Sequence, residues 1–369
     1  STSHKLFADA LRAEIGHTRG GCPFERFLCL NSGSEAMGVA LRISDITAQR
    51  HTQPGGRHEG REIVMLGVRY GFHGRTDRPA MGSHSSQEKY RKHLASFRQQ
   101  RLLVIEPNDV EGLHRAFDQA EADGQFIEVV MLEPVMGEGQ PGRAMTRPFY
   151  DAARERTRQH GSMLLIDSIQ AGLRAHGVLS VVDYPGFEDA EAPDMESYSK
   201  AINAGQYPLS VLALRQQVAD YYVRGLYGNT MTANPRALDV GRVVLERVTP
   251  DLRRNIRERG AEFRARLGEL QAEFPDLILQ VEGTGLLIAA ELNPRFPVVG
   301  FDSVEVRARE RGIGLIHGGR NALRFTPHFG ITSAEIEMVV SVLRDLFQNL
   351  LHHEAPAGAG AAARQTAEV

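Results

Sequence analysis

"SMLLIDSIQAGLRAHG", residues 162–177, opens on an unbroken apolar run, Met163 to Ile166, and ends that run on a carboxylate, Asp167. A strand with one wet face alternates apolar and polar side chains. An uninterrupted run instead marks a strand covered on both faces, as in a parallel sheet with helices above and below. An acid at the carboxyl end of such a strand points into the crevice where open α/β sheets take their ligands. Gln170, one helical turn on, reaches the same place. The plainer alternative is that Asp167 caps a following helix.

Working outward, "RFLCL", "EIVMLGV", "LLVIE", "EVVMLEP" and "LSVLALR" repeat the strand pattern. Helical periodicity fills the gaps at Glu35 to Gln49, Val110 to Asp123 and Arg147 to His160, the last with Thr146 at its N-cap and Pro148 in its first turn. The alternation predicts an α/β fold over residues 1–234, a mostly parallel central sheet covered by helices. "STSHKLFADALRAEIGH" predicts an amphipathic helix with Leu6, Phe7, Ala10, Leu11 and Ile15 on one face. After Asn234 the pattern changes. A long helical stretch breaks near Thr249-Pro250, and "LILQVEGTGLLIAAEL" reads as two strands about Gly283 and Gly285. "GIGLIHGG", "ALRFTP" and a closing helix, Ser333 to Leu351, follow, so that 235–353 reads as a long connecting helix and a smaller C-terminal α+β domain. The Ala/Gly/Pro-rich stretch 354–369 predicts a disordered tail.

Composition narrows the classes. A chain of 369 residues that is 42% hydrophobic and 24% charged is an ordinary globular protein, long enough for two domains. The net charge of −3, with no basic tract, gives no reason to expect nucleic acid or an anionic membrane as partner. No apolar run approaches the ~20 residues that span a bilayer. Cys22 and Cys29 fit neither a zinc knuckle nor a redox pair and read as reduced packing residues in a cytoplasmic protein.

Several stretches carry chemistry. In "LCLNSGSEAMGVALR" a strand ends, a Ser/Gly turn follows and a helix opens, so that free amides beside the Ser32 and Ser34 hydroxyls could hold a phosphate; the same residues also make an ordinary N-cap. "MLEPVMGEGQPG" contains a literal GxGxxG at Gly137, Gly139 and Gly142. It fails as a dinucleotide fingerprint: Glu138 would set a negative charge beside the pyrophosphate, Pro141 removes an N–H and the helix opens only at Thr146. In "YGFHGRT" the aromatic Phe72 is either a small loop core or a plate for a flat ring. Lys200, in "ESYSKAINAGQYPLS", has no carboxylate within a helical turn; it is either a solvated charge or a nucleophilic amine. A phosphate cradle, an aromatic plate, an acid at a strand end and a lone lysine together suit pyridoxal 5'-phosphate, which needs each of them.

Seven stretches in order, "NSGSEA", "FHGRT", "EPVMGEG", "DSIQAG", "PDMESYSKAINAGQYPLS", "NTMTANPRA" and "RFTPHF", resemble the class III aminotransferases of the ornithine, acetylornithine and γ-aminobutyrate type, of pyridoxal-phosphate fold type I. The resemblance implies that Gly33 and Ser34 bind the phosphate, Phe72 stacks on the ring, Asp167 pairs with the pyridine nitrogen and Gln170 contacts the ring hydroxyl. It implies a Schiff base on Lys200 and a homodimer with shared active sites, in which Thr230 reaches the neighbouring subunit's phosphate. Glu138 would be the switch glutamate and Arg324 the carboxylate-binding arginine, with Arg75 for a second carboxylate. The implied reaction is ping-pong transfer of an amino group from an amine or ω-amino acid to 2-oxoglutarate or pyruvate. Decarboxylation or aminomutation on the same fold, and a non-catalytic dimeric paralogue, are the alternatives.

The chain also departs from the resemblance. Ser168 stands where the family has Glu, which implies a missing charge. "QAGLRAHG" and "NAGQYPLS" depart from the usual loops, and the family's N-terminal segment has no counterpart ahead of Ser1.

Overall fold

The computed structural model describes residues 1–99 and 101–353; the tail expected at 354–369 lies outside the described residues. β1 Arg26–Leu30, β2 Glu62–Val68, β3 Leu102–Ile105, β4 Gln125–Leu132, β5 Met163–Asp167, β6 Met195–Tyr198 and β7 Ser210–Leu214 form one sheet in the order β1-β7-β6-β5-β4-β2-β3. Strands β3, β2, β4, β5 and β6 pair in parallel, and β7 runs against both its neighbours. Every residue of β5 is buried, as the unbroken run at 163–166 requires. Covering each such aliphatic side chain stabilises the fold by roughly 1.5–3 kcal/mol.

Strand β6 is absent from the sequence reading because "MESY" has no apolar run. Its Glu196 and Ser197 are both fully buried, so polarity there records partners within the protein, not contact with water.

The longer helices are α1 Thr2–Glu14, α2 Gly33–Thr52, α3 Val110–Ala122, α4 Arg147–His160, α5 Pro235–Glu246, α6 Pro250–Glu273 and α7 Ser333–His353. In α1, Phe7 and Leu11 are buried on one face while Leu6, about 100° round the helix from Phe7, is 43% exposed and leaves the predicted face. Glu14 takes the next buried position and pairs with Arg253 of α6 at 2.5 Å. Thr146 stands at the N-cap of α4 but its side chain makes no capping bond; its amide donates to Asn108 Oδ1 at 2.9 Å.

β8 Ile278–Thr284, β9 Leu287–Leu292, β10 Ile316–Gly318 and β11 Ala322–Phe325 form a second, antiparallel sheet in the order β10-β11-β9-β8. It shares a core with Phe263 and Leu267 of α6 and Ile336 and Leu343 of α7. Ala237, Leu238 and Leu245 of α5 lie instead in the core of the large sheet. The β8–β9 turn meets the loop after β5, where the Leu286 amide donates to Arg174 O at 3.0 Å. This contact sets the second sheet against the carboxyl end of β5. Among the described residues no helix is long and apolar enough to cross a membrane.

Candidate active site

A cavity of about 350 Å³ opens at the carboxyl end of β5, lined among others by Gly33, Ser34, Phe72, Asp167, Gln170 and Lys200. The structure therefore brings together six of the residues singled out in the sequence. At its floor, Ser32 and Glu35 form a reciprocal cap on α2: the Glu35 amide donates to Ser32 Oγ at 3.3 Å, and the Glu35 carboxylate accepts from the amides of Asn31 at 2.7 Å and Ser32 at 3.3 Å. Ser32 Oγ is the acceptor in that bond, so its own O–H remains a donor, and Ser32 also lines the cavity. The amides of Gly33 and Ser34 have no acceptor among the described residues, and at a helix N-terminus they attract an anion. Gly74, at φ +122°, closes over them; a Cβ there would come within 2.5 Å of Ser34 Oγ.

Asp167 is held from behind. Its Oδ2 lies 3.0 Å from Nδ1 of the buried His73, and its Oδ1 accepts the Ile169 amide at 3.1 Å. Burial pulls the His73 pKa down, but the hydrogen bond to Asp167 and the charges of Asp167 and Glu133 outweigh it, and the net shift is upward. Glu133, at the end of β4, accepts the amides of Phe72 at 3.0 Å and Gly137 at 2.9 Å, and burial pushes its pKa up to about 7. His73 and Glu133 were missed as site residues. The available signal was a charged side chain closing an apolar run in "VVMLEP" and a histidine beside the singled-out phenylalanine.

Lys200 opens a short 3-10 turn, Lys200–Asn203, at φ +50°, in the left-handed region that few lysines occupy. Lys200 is exposed, and it lines the cavity. Partial burial lowers its pKa, the Arg324 charge lowers it further, and Glu138, Asp167 and Glu133 oppose them. The unusual "NAGQYPLS" is a local brace. Asn203 accepts the Gly205 amide at 2.7 Å and donates to Tyr207 O, while Ser199 Oγ donates to Leu209 O at 2.7 Å. The brace carries Pro208 and Leu209 into the cavity wall.

Beyond Lys200 and Gln170 lies a second cavity of about 610 Å³, reaching Arg324, Arg174 and Phe329. Arg324 donates through Nη1 to Gly137 O and to Gln170 Oε1 at 3.0 Å, with Glu138 Oε2 at 3.6 Å. Glu138 also accepts from Arg75 at 3.1 Å, so one carboxylate is shared between two guanidiniums. Arg75 is exposed and lies over the Phe72 ring at 5.4 Å. The glycine motif at 137–142 serves packing: a Cβ on Gly137 would collide with the Gln170 side chain. Thr230 is exposed and lines neither cavity, although its neighbour Asn229 donates to Glu35 at 2.5 Å.

Against Ser168 stands a carboxyl group from β6. Glu196 accepts from Ser168 Oγ and Ser180 Oγ at 2.5 Å each and from the Val181 amide at 2.9 Å. Burial pushes its pKa up to about 7 against those donors.

Comparison with known proteins agrees with this geometry. The family model for aminotransferase class-III matches residues 4–347. The acetylornithine aminotransferase of Xanthomonas axonopodis pv. citri is 31% identical over 86% of this chain and 73% of its own length. That of Vibrio parahaemolyticus is 31% identical over 85% and 72%. The crystal structure of N-acetylornithine aminotransferase from Stenotrophomonas maltophilia superposes with a TM-score of 0.72 at 25% identity, covering 96% of this chain and 81% of that one. Taurine:2-oxoglutarate aminotransferase from Bifidobacterium kashiwanohense, solved with pyridoxal phosphate and glutamate, shares the fold at a TM-score of 0.76 and 15% identity, over 95% of this chain and 80% of that one. With the free amides of α2, the acid behind Lys200 and the family match agreeing, this chain belongs to the class-III aminotransferases, pyridoxal-phosphate enzymes that pass an amino group to a keto acid.

Proposed function

We propose that the two cavities are halves of one transamination site, cofactor on the Ser34 side and substrate on the Arg324 side. The observation that carries this reading is Lys200, which lines both. The Gly33 and Ser34 amides and the Ser34 hydroxyl would hold the phosphate and Phe72 would stack on the ring. Asp167, backed by His73, would keep a proton on the ring nitrogen, and Gln170 would meet the ring hydroxyl. When bound, the cofactor supplies a protonated ring that takes up the electron pair left as the substrate loses its proton. Lys200 would hold the aldehyde through its amine, and the same amine would move the proton at the substrate carbon; its lowered pKa leaves more of the amine free to do so.

Glu138 supports a two-state pocket. Turned to Arg324 it leaves the wall neutral for the amine-bearing donor, an amine or ω-amino acid. Turned to Arg75 it frees the Arg324 fork for the carboxylate of 2-oxoglutarate or pyruvate. This alternation suits a ping-pong sequence. Exposed Thr230 suits service to a neighbouring subunit's phosphate, hence a homodimer with shared sites, working in the cytoplasm. Lys200, Asp167 and Gln170 gathered on one cavity speak against a non-catalytic paralogue.

The purified protein is expected to show a visible band from lysine-bound pyridoxal phosphate that shifts on adding amine donors. Lys200→Ala should lose the band and slow transamination by about a thousandfold or more. A colourless protein that ignores added cofactor overturns the reading. Stoichiometric CO2, or turnover without any keto acid, would favour decarboxylation or aminomutation instead.

A further inference from the structure

Arg174 lines the second cavity, as Lys200 does, and its guanidinium is only half used. Nη1 donates to the carbonyls of Leu286 at 3.2 Å and Pro327 at 2.6 Å, and the Phe329 ring backs the plane at 5.0 Å. A guanidinium has about five N–H donors. Those on Nε and Nη2 have no acceptor among the described residues, and neither atom is sealed away from solvent. Burial alone pushes its pKa down to about 10, with no acid near enough to offset it. The contrast is with Arg154 and Arg253, which are similarly enclosed and each have a carboxylate, Asp194 at 2.9 Å and Glu14 at 2.5 Å. His328, on the same wall, is 3.4 Å from Glu335.

The reordered "GLRAHG" explains how the arm is aimed. Leu173 sits at φ +62°, its amide bonded to Val178 O and its carbonyl to the Gly177 amide, both at 2.8 Å, so the turn is rigid. Pro327, which holds Arg174, follows Arg324 by three residues, so their Cα atoms are no more than about 11 Å apart. Two fork-shaped cations thus line one cavity, one with a glutamate beside it and one without.

We infer that Arg174, and not Arg75, binds the remote carboxylate of a dicarboxylic substrate whose other carboxylate lies beside Arg324, so that a diacid is held more tightly than a monoacid; Arg174 lines the second cavity and Arg75 does not. This rests on the proposed reading of the second cavity as the substrate half.

The test is calorimetric binding of unreactive acids to the cofactor-loaded protein: glutarate, adipate and pimelate against valerate. The wild type should bind at least one diacid about tenfold more tightly than valerate. Arg174→Gln should abolish that preference while leaving valerate binding in place, and Arg174→Lys should keep part of it. No diacid preference in the wild type, or its full retention in Arg174→Gln, overturns the inference. So does an equal loss of both acids with a fall in melting temperature, which is what a purely structural tie between Leu286 and Pro327 would give. Cofactor uptake is followed on the same samples by visible absorbance. A failure of transamination there leaves the acid-binding result intact, and normal uptake without diacid preference sinks only the role of Arg174.

Discussion

At the scale of the single residue, Lys200 is defined by what does not neutralise it. Burial and Arg324 lower its pKa, and the nearby acids only partly restore it. The sign is simple: a lowered lysine pKa means a larger deprotonated fraction at any pH below its ordinary value. The chain offers internal controls, because Lys5, Lys89 and Lys92 are its other lysines. Under trace acylation of the cofactor-free protein near pH 8, peptide mass spectrometry should find Lys200 modified ahead of them. Glu138→Gln, which removes an opposing negative charge, should widen the gap; slower labelling of Lys200 than of Lys5 would contradict the assignment. The missing partner was legible in the sequence, since "SYSKAINAG" carries no acid. Its electrostatic surroundings were not, because Glu133, Asp167 and Glu138 reach it from other elements.

At the scale of the element, β6 shows why some strands escape a reading by hydropathy. β5 announces itself with four apolar residues before its acid, whereas β6 hides Glu196 and Ser197 inside the sheet. What permits this is Ser168, Ser180 and the Val181 amide, which supply donors to one carboxylate. The same donors fail to offset burial fully, so the Glu196 pKa rises to about 7. A carboxyl group whose folded pKa lies above its unfolded value binds its proton more tightly in the native state. Its stabilising contribution is therefore complete below about pH 4.5 and is lost as pH rises towards 7. Glu196→Gln keeps the shape and lacks the charge. It should raise stability above pH 7 by on the order of 2 kcal/mol, and flatten the pH dependence between about 4.5 and 7. Denaturant unfolding at pH 5 and pH 8 measures both; an equal effect at the two pH values would contradict the account.

At the scale of the whole molecule, the alternation of apolar runs and helices made the large sheet readable, and the hairpin at Gly285 announced the second sheet. What sequence could not show is the pairing of distant parts: Arg253 on Glu14, Leu286 on Arg174, Glu196 beneath Ser168. Thr230 poses the same question between chains, since it is exposed and lines neither cavity. If each site takes Lys200 from one subunit and Thr230 from the other, two damaged proteins should repair each other. Lys200→Ala lacks the lysine everywhere, and Thr230→Ala would then weaken the hold on phosphate everywhere. In a mixed dimer the site that keeps Lys200 receives an intact threonine from its neighbour. Random reassortment makes about half the dimers mixed, each with one intact site of two, so mixing should restore about a quarter of wild-type activity. If Thr230 served its own chain's site, the site with the lysine would be the one without the threonine, and mixing would restore nothing. Co-refolding of the two variants at limiting pyridoxal phosphate, with transamination rate as readout, separates the two arrangements.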